Sequence, residues 1–268
     1  MRPLGLECLS AFGLHPVEFI RIAGALDCSH VTLSLSSSPN RLPIYPDVTF
    51  RHDAALRREM RAALADSGVS IGMMEGFAVL PGGSVDDFAA DLDTTAELGA
   101  RAICTVSIDK DAARTHDQFA RLTQLAGERG LKTTTEACAG VWRKFPLAVE
   151  AARAVADPDF SLLIDTMHFF RSGSTVADLK ALDPALIGHV PLCDVPMPAV
   201  MESYMEEALH ERRCPGDGDL PLADFLANSP EPVIVGLEIP IRSEAEAGIG
   251  PRERMGRCVA AARRLMDR

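Results

Sequence analysis

LLIDTMHFFRSG, residues 162–173, decides the fold. Three apolar residues run into Asp165, and His168 follows three positions later. An apolar run that ends in a carboxylate reads as a buried strand delivering an acid to the mouth of a barrel. The following turn then leans a histidine over that acid. If the rest of the chain repeats a strand-then-helix unit, this stretch is one corner of an active site.

Outward from there, the units recur in both directions. Strand-like runs lie at 4–9, 30–35, 69–77, 101–108, 131–136, 160–165, 187–194 and 233–239. Helical patterns lie at 16–26, 53–67, 84–98, 115–129, 146–156, 175–181, 220–227 and 251–266. Pro16 opens the first helix, Ser84 caps the third ahead of Asp86 and Asp87, and Gly68 and Gly99 stand at helix stops. Eight strand–helix units without linker, repeat or low-complexity tract predict an α/β fold, a (β/α)8 TIM barrel over 1–268 as a single domain. No GxGxxG or Walker A sequence opens the first units, which disfavours a doubly wound sheet. The Ser36–Thr49 loop is longer than a usual strand-to-helix connection, as functional loops often are.

Bulk properties narrow the function. With 268 residues, 47% hydrophobic and 24% charged, the chain fills a core and is not disordered. A net charge of −11 excludes a nucleic-acid surface and disfavours an anionic membrane partner. No stretch reads as a signal peptide or a membrane span. The seven cysteines are scattered, with no CxxC, and read as buried free thiols of a cytoplasmic protein.

In such barrels the C-terminal ends of the strands converge on one site. Those ends supply Glu75, Glu136, Asp165 and Glu238, and strand seven supplies His189, Pro191, Cys193 and Asp194. Carboxylates aimed at one point repel unless they are protonated or share a cation. A divalent ion satisfies them, and oxygen ligation suits Mg²⁺ or Mn²⁺. Each residue also has a plainer reading: the acids cap helices, His168 and His189 sit in the core, and Trp142 covers the rim rather than walling the pocket.

The segments TTTEA (133–137), IDTMHFFRSG (164–173), GHVPLCDVP (188–196), RRCPGDGDLPL (212–222) and GLEIP (236–240) occur in an order that resembles the sugar phosphate isomerase/epimerase family of xylose isomerase-like TIM barrels. The resemblance covers the second half of the chain and implies a metal held by Glu136, Asp165 and Glu238. The family's fourth ligand, a His or Gln, falls on Pro191, which has no donor; water, His189 or Cys193 are the stand-ins. The resemblance further implies Glu136 and Glu238 as proton-exchanging residues, His168 as acid/base or substrate contact, and Arg212 as substrate contact, with Glu75 and Trp142 as further substrate-side candidates. Trp142 stands where ketose 3-epimerases carry a substrate-binding Glu, and LCD (192–194) is closer to 3-dehydroshikimate dehydratase-like members. The expected function is metal-assisted enolisation of a small carbonyl-bearing polyol or sugar, of isomerase/epimerase type. The alternatives are a dehydratase-like lyase on a cyclic hydroxy-keto acid, or a metal-free ligand-binding barrel. Expected partners are a small-molecule substrate and a second copy in a homodimer.

Overall fold

Strand β1 (Leu4–Leu6) pairs in parallel with both β2 (His30–Ser34) and β8 (Ile234–Leu237), and this closes the sheet. Between them run β3 (Ser70–Val79), β4 (Ala102–Ser107), β5 (Lys132–Glu136), β6 (Phe160–Leu163) and β7 (Ile187–Leu192), each parallel to the next in chain order. The result, in a computed structural model, is the expected eight-stranded TIM barrel. It describes residues 2–35, 38, 40–137, 142, 144–231 and 233–267. The expected function of the Ser36–Thr49 loop falls partly on residues outside that set, and Cys138 lies outside it altogether.

The helices between strands are α1 (Pro16–Ala25), α2 (Ala54–Ser67), α3 (Ala89–Glu97), α4 (Ala112–Gly127), α5 (Phe145–Val155), α6 (Thr166–Arg171), α7 (Val176–Lys180), α8 (Tyr204–His210), α9 (Leu222–Ala227), α10 (Arg242–Glu246) and α11 (Pro251–Met266). Their starts follow the local chemistry. Asp53 and Asp111 accept from the backbone N–H groups of Leu56 and Arg114, relieving first-turn donors that a helix leaves unpaired. The helices' apolar faces and the strands' outward faces, among them Phe19, Ile20, Val31, Met60, Phe119, Phe160, Leu162 and Phe225, form one continuous core. Inside the barrel, Met73, Cys104 and Leu163 form a separate small cluster.

Three expectations change. Strand β1 stops at Leu6 rather than at residue 9, because the chain turns into a short 3₁₀ helix over Cys8–Ala11. Strand β6 stops at Leu163, and α6 and α8 occupy stretches expected to be irregular. The cysteines are not all free: Cys214, in the 212–222 segment, is disulfide-bonded to Cys258 of α11, while Cys8, Cys28, Cys104 and Cys193 are free. Scatter in sequence concealed the pair, since 44 residues separate partners that the barrel's closure brings together.

Candidate active site

Asp165 is the hinge between β6 and α6. Its Oδ1 accepts from the backbone N–H of His168 at 2.9 Å, so it caps the helix that carries the histidine. The capping reading and the functional one are therefore both true of this residue. Its Oδ2 accepts from Arg212 Nη1 at 2.6 Å, and the same Nη1 stands 2.9 Å from Glu238 Oε2. Arg212 is 2% exposed and its Nε donates to the carbonyl of Ala208, so the guanidinium is locked in place. The expected substrate-contacting arginine thus bridges two of the expected metal ligands.

The two carboxyls that share Arg212 are driven apart. Burial pushes Asp165 up, but Arg212, His168 and the hydrogen bonds it accepts outweigh burial and hold it below the usual carboxylate range. Burial also dominates at Glu238. There the charges of Asp165, Glu136 and Glu75 add to it against Arg212, so this carboxyl is held well above its ordinary value. Neighbouring carboxyls shifted in opposite directions are the usual signature of divided acid and base roles.

His168 Nδ1 is hydrogen-bonded to Tyr204 Oη at 2.5 Å, and its Nε2 faces Glu136 Oε1 at 3.8 Å. Burial, helped by Arg212 and opposed by Asp165, pushes the imidazole down to about 4, so it is neutral at neutral pH. One ligand atom each from Glu136, Asp165 and His168 lies within 4.8 Å of the others.

The cavity above Met73, Cys104 and Leu163 has a volume of about 240 Å³. Glu7, Glu75, Glu136, Pro191 and Glu238 line it. Burial and then the charge of Glu7 raise Glu75 to about 7, against a 3.3 Å hydrogen bond donated by Thr32 Oγ1. Glu7 was missed in the sequence because β1 was read through it; once the strand stops at Leu6, Glu7 is the strand-end acid of unit one. It pairs with His189 Nε2 at 2.8 Å, and its carboxyl lies over Gly236, which pairs across the sheet with Pro191. Tyr204 was missed too, although Ser203 and Glu206 spell the S-x-x-E start of α8, where Ser203 Oγ accepts from the Glu206 N–H.

The remaining candidates make these contacts within the fold. Asp194 takes backbone N–H bonds from Val195, Gly216 and Leu220, fastening the PGDGD turn. Trp142 is buried, its Nε1 donating to the carbonyl of Asp109 at 2.8 Å, and it is not among the described residues that line the cavity.

A divalent ion fits this donor set, with a change of ligands. Glu136, Asp165 and neutral His168 converge; Arg212 engages both Asp165 and Glu238, so an ion at this cluster would share Asp165 with the guanidinium, and Glu238 is not part of the cluster. Three protein donors with positions left for water or substrate oxygens describe a catalytic rather than a structural metal site. Neither stand-in for the fourth ligand is free. His189 is tied to Glu7, and the Cys193 thiol, pushed up to about 12 by burial and the charge of Asp165, stays protonated.

Comparison with known proteins agrees with this architecture. The chain is 25% identical over 186 residues to a 3-dehydroshikimate dehydratase of Pseudomonas putida, covering 63% of this chain and 29% of that protein. It therefore spans under a third of that relative's length. Among solved structures, a D-psicose 3-epimerase determined in the presence of D-fructose superposes with a TM-score of 0.75 at 15% identity, covering 99% of this chain and 99% of the other. The IOLI protein with a bound zinc atom gives a TM-score of 0.77 at 16% identity, over 99% of this chain and 96% of that one. Both likenesses are of fold. The model of one family, the xylose isomerase-like TIM barrel, matches residues 20–253, and the chain belongs to that family.

Proposed function

We propose that this barrel enolises a small hydroxylated ketone, aldehyde or keto acid, by removing a proton next to its carbonyl. The observation that carries the reading is the pair Asp165 and Glu238, shifted in opposite directions, down and up, on either side of one guanidinium beside an acid-lined cavity. A divalent ion held by Glu136, Asp165 and His168 would supply Lewis-acid polarisation of the carbonyl oxygen.

The chain's own groups do the rest. Glu136 takes the α-proton, and the C–H electron pair moves to the carbonyl oxygen. Glu238, whose carboxyl is held well above its ordinary value, is the group placed to return a proton. Delivery to the adjacent carbon gives an isomer, and delivery to the opposite face of the same carbon gives an epimer. Arg212 then stabilises the carboxylate left behind. Glu75, raised to about 7, takes and gives protons at substrate hydroxyls, while His168 stays with the ion, its other nitrogen held by Tyr204. The walls of the cavity, Phe77, Val106 and Leu163 among them, limit water and favour return of the proton to substrate.

A second reading, dehydration, shares the first step. If the carbanion expels a β-hydroxyl that leaves with a proton as water, the product is an enone and the enzyme is a lyase. The 25% identity to a 3-dehydroshikimate dehydratase favours keeping it.

Calorimetric titration with Mn²⁺ tests the proposed site. Wild type should bind one ion, and Asp165→Asn and His168→Ala should each weaken it at least tenfold, while Glu238→Gln changes it less than threefold. Wild type without affinity for Mn²⁺, Mg²⁺ or Zn²⁺ would support the metal-free ligand-binding alternative instead.

A further inference from the structure

We propose that the substrate carries a neutral apolar appendage of a few carbons, and that this group lodges in a second chamber opening off the reaction cavity. The proposal rests on the reading above only for what occupies the first cavity.

The second chamber lies between the ends of β1 and β2, the start of α1 and the loop before α2. Leu9, Leu14, Phe19, Leu33, Val48 and Phe50 supply its larger, apolar part, beside Ser34, Ser38, Arg41, Asp47 and Glu75, and its volume is about 100 Å³. Glu75 is common to the walls of both cavities, so the two spaces adjoin at its side chain, and the proposed ligand passes Glu75 into the second one. The junction carboxyl is a group that can donate a hydrogen bond to a substrate oxygen at the bend.

Charge at the rim does not ask for a charged group. Arg41 and Asp47 both stand there and offset one another. Arg41 is also spoken for: its Nη1 donates to the carbonyl of Tyr45 at 2.6 Å, and its stem packs where a side chain at Gly13 would be. A cluster of strand-end acids in one cavity and six apolar side chains in the next describe a ligand with a polar head and an apolar tail. The tail is smaller than benzene, for which an apolar cavity of about 150 Å³ suffices, so a branched alkyl group is the fitting size.

Two hydroxyketones decide the matter. Affinities of 1,3-dihydroxyacetone and of 1,3-dihydroxy-5-methylhexan-2-one, which adds an isobutyl group to one carbinol carbon, are measured by calorimetry in Mn²⁺. The extended ketone should bind about thirtyfold more tightly, from burial of four carbons less the cost of ordering them. Two variants filling the chamber from opposite walls, Val48→Phe and Leu14→Phe, should each bring the ratio of affinities to within threefold of one. An extended ketone that binds no more tightly than the short one, or not at all, overturns the proposal, as does a ratio that survives both fillings. The parent reading fails separately. A thirtyfold gain without solvent-proton exchange into either ketone keeps the chamber and removes enolisation; exchange with equal affinities does the reverse.

Discussion

Arg212 Nη1 lies 2.6 Å from Asp165 Oδ2 with both side chains shut away from solvent, so a fixed organic cation sits beside the site proposed for a metal. Removing one partner of a buried ion pair leaves an uncompensated charge and costs about 3–5 kcal/mol. Arg212→Met is therefore expected to destabilise the fold by that order, measured by urea unfolding. It should also release Glu238, so that Mn²⁺ affinity in the variant, if it folds, rises rather than falls. A stable variant with unchanged affinity would show that the bridge is not formed.

Gly236 makes room for Glu7. A β-carbon there would collide with the Glu7 carboxyl and come within 3.0 Å of His189 Nε2. Gly236→Ala should displace Glu7, break its 2.8 Å bond to His189 and lower stability by about 2–3 kcal/mol, the usual cost of leaving buried polar groups unpaired. Gly127→Ala, at an exposed position of α4 with open space around it, is the control and should be neutral or slightly stabilising.

The Cys214–Cys258 bond closes a loop two residues beyond Arg212. Its removal in Cys258→Ser should cost about 2–4 kcal/mol. Thiol titration of denatured wild type should gain two groups on reduction. An unchanged thiol count would mean that the bond does not form.

The acids and histidines bend the stability–pH curve in opposite directions. Glu75, raised from 4.5 to about 7, binds its proton in the folded state where the unfolded state has lost it. Its contribution is greatest below about pH 4.5 and is lost as pH rises through 7. His168, lowered from 6.5 to about 4, behaves oppositely: its neutral form is favoured on folding above pH 6.5, and that support is lost as pH falls to 4. In chelator-treated protein, Glu75→Gln should therefore make stability fall more steeply between pH 7 and 5, by on the order of 2–3 kcal/mol. His168→Gln should flatten the same curve. Chemical unfolding across that range reads both.

Much of this architecture was legible because barrel strands obey a simple rule. Apolar runs such as 103–106 and 162–164 end in polar residues that meet at one mouth, so Glu136, Asp165 and Glu238 stood out. What hid was set by tertiary closure. Glu7 became a strand-end acid only once β1 was known to stop at Leu6. Tyr204 reaches His168 from a helix 36 residues away, and no spacing in the sequence relates them. Arg212 was expected to face substrate; that it faces Asp165 and Glu238 follows from the path of the 212–214 segment, which is pinned by Asp194 and by the disulfide.

The central claim is proton removal next to a carbonyl, and solvent exchange measures it without knowledge of the natural product. The Mn²⁺-loaded protein is incubated in D₂O with a panel of ketoses, hydroxyketones and hydroxy-keto acids, and deuterium at the α-carbon is followed by NMR. The account predicts exchange into at least one compound, lost about 10³-fold or more in Glu136→Gln and strongly reduced in Glu238→Gln. Binding of those compounds with no exchange in any of them, or exchange that persists in Glu136→Gln, would contradict it.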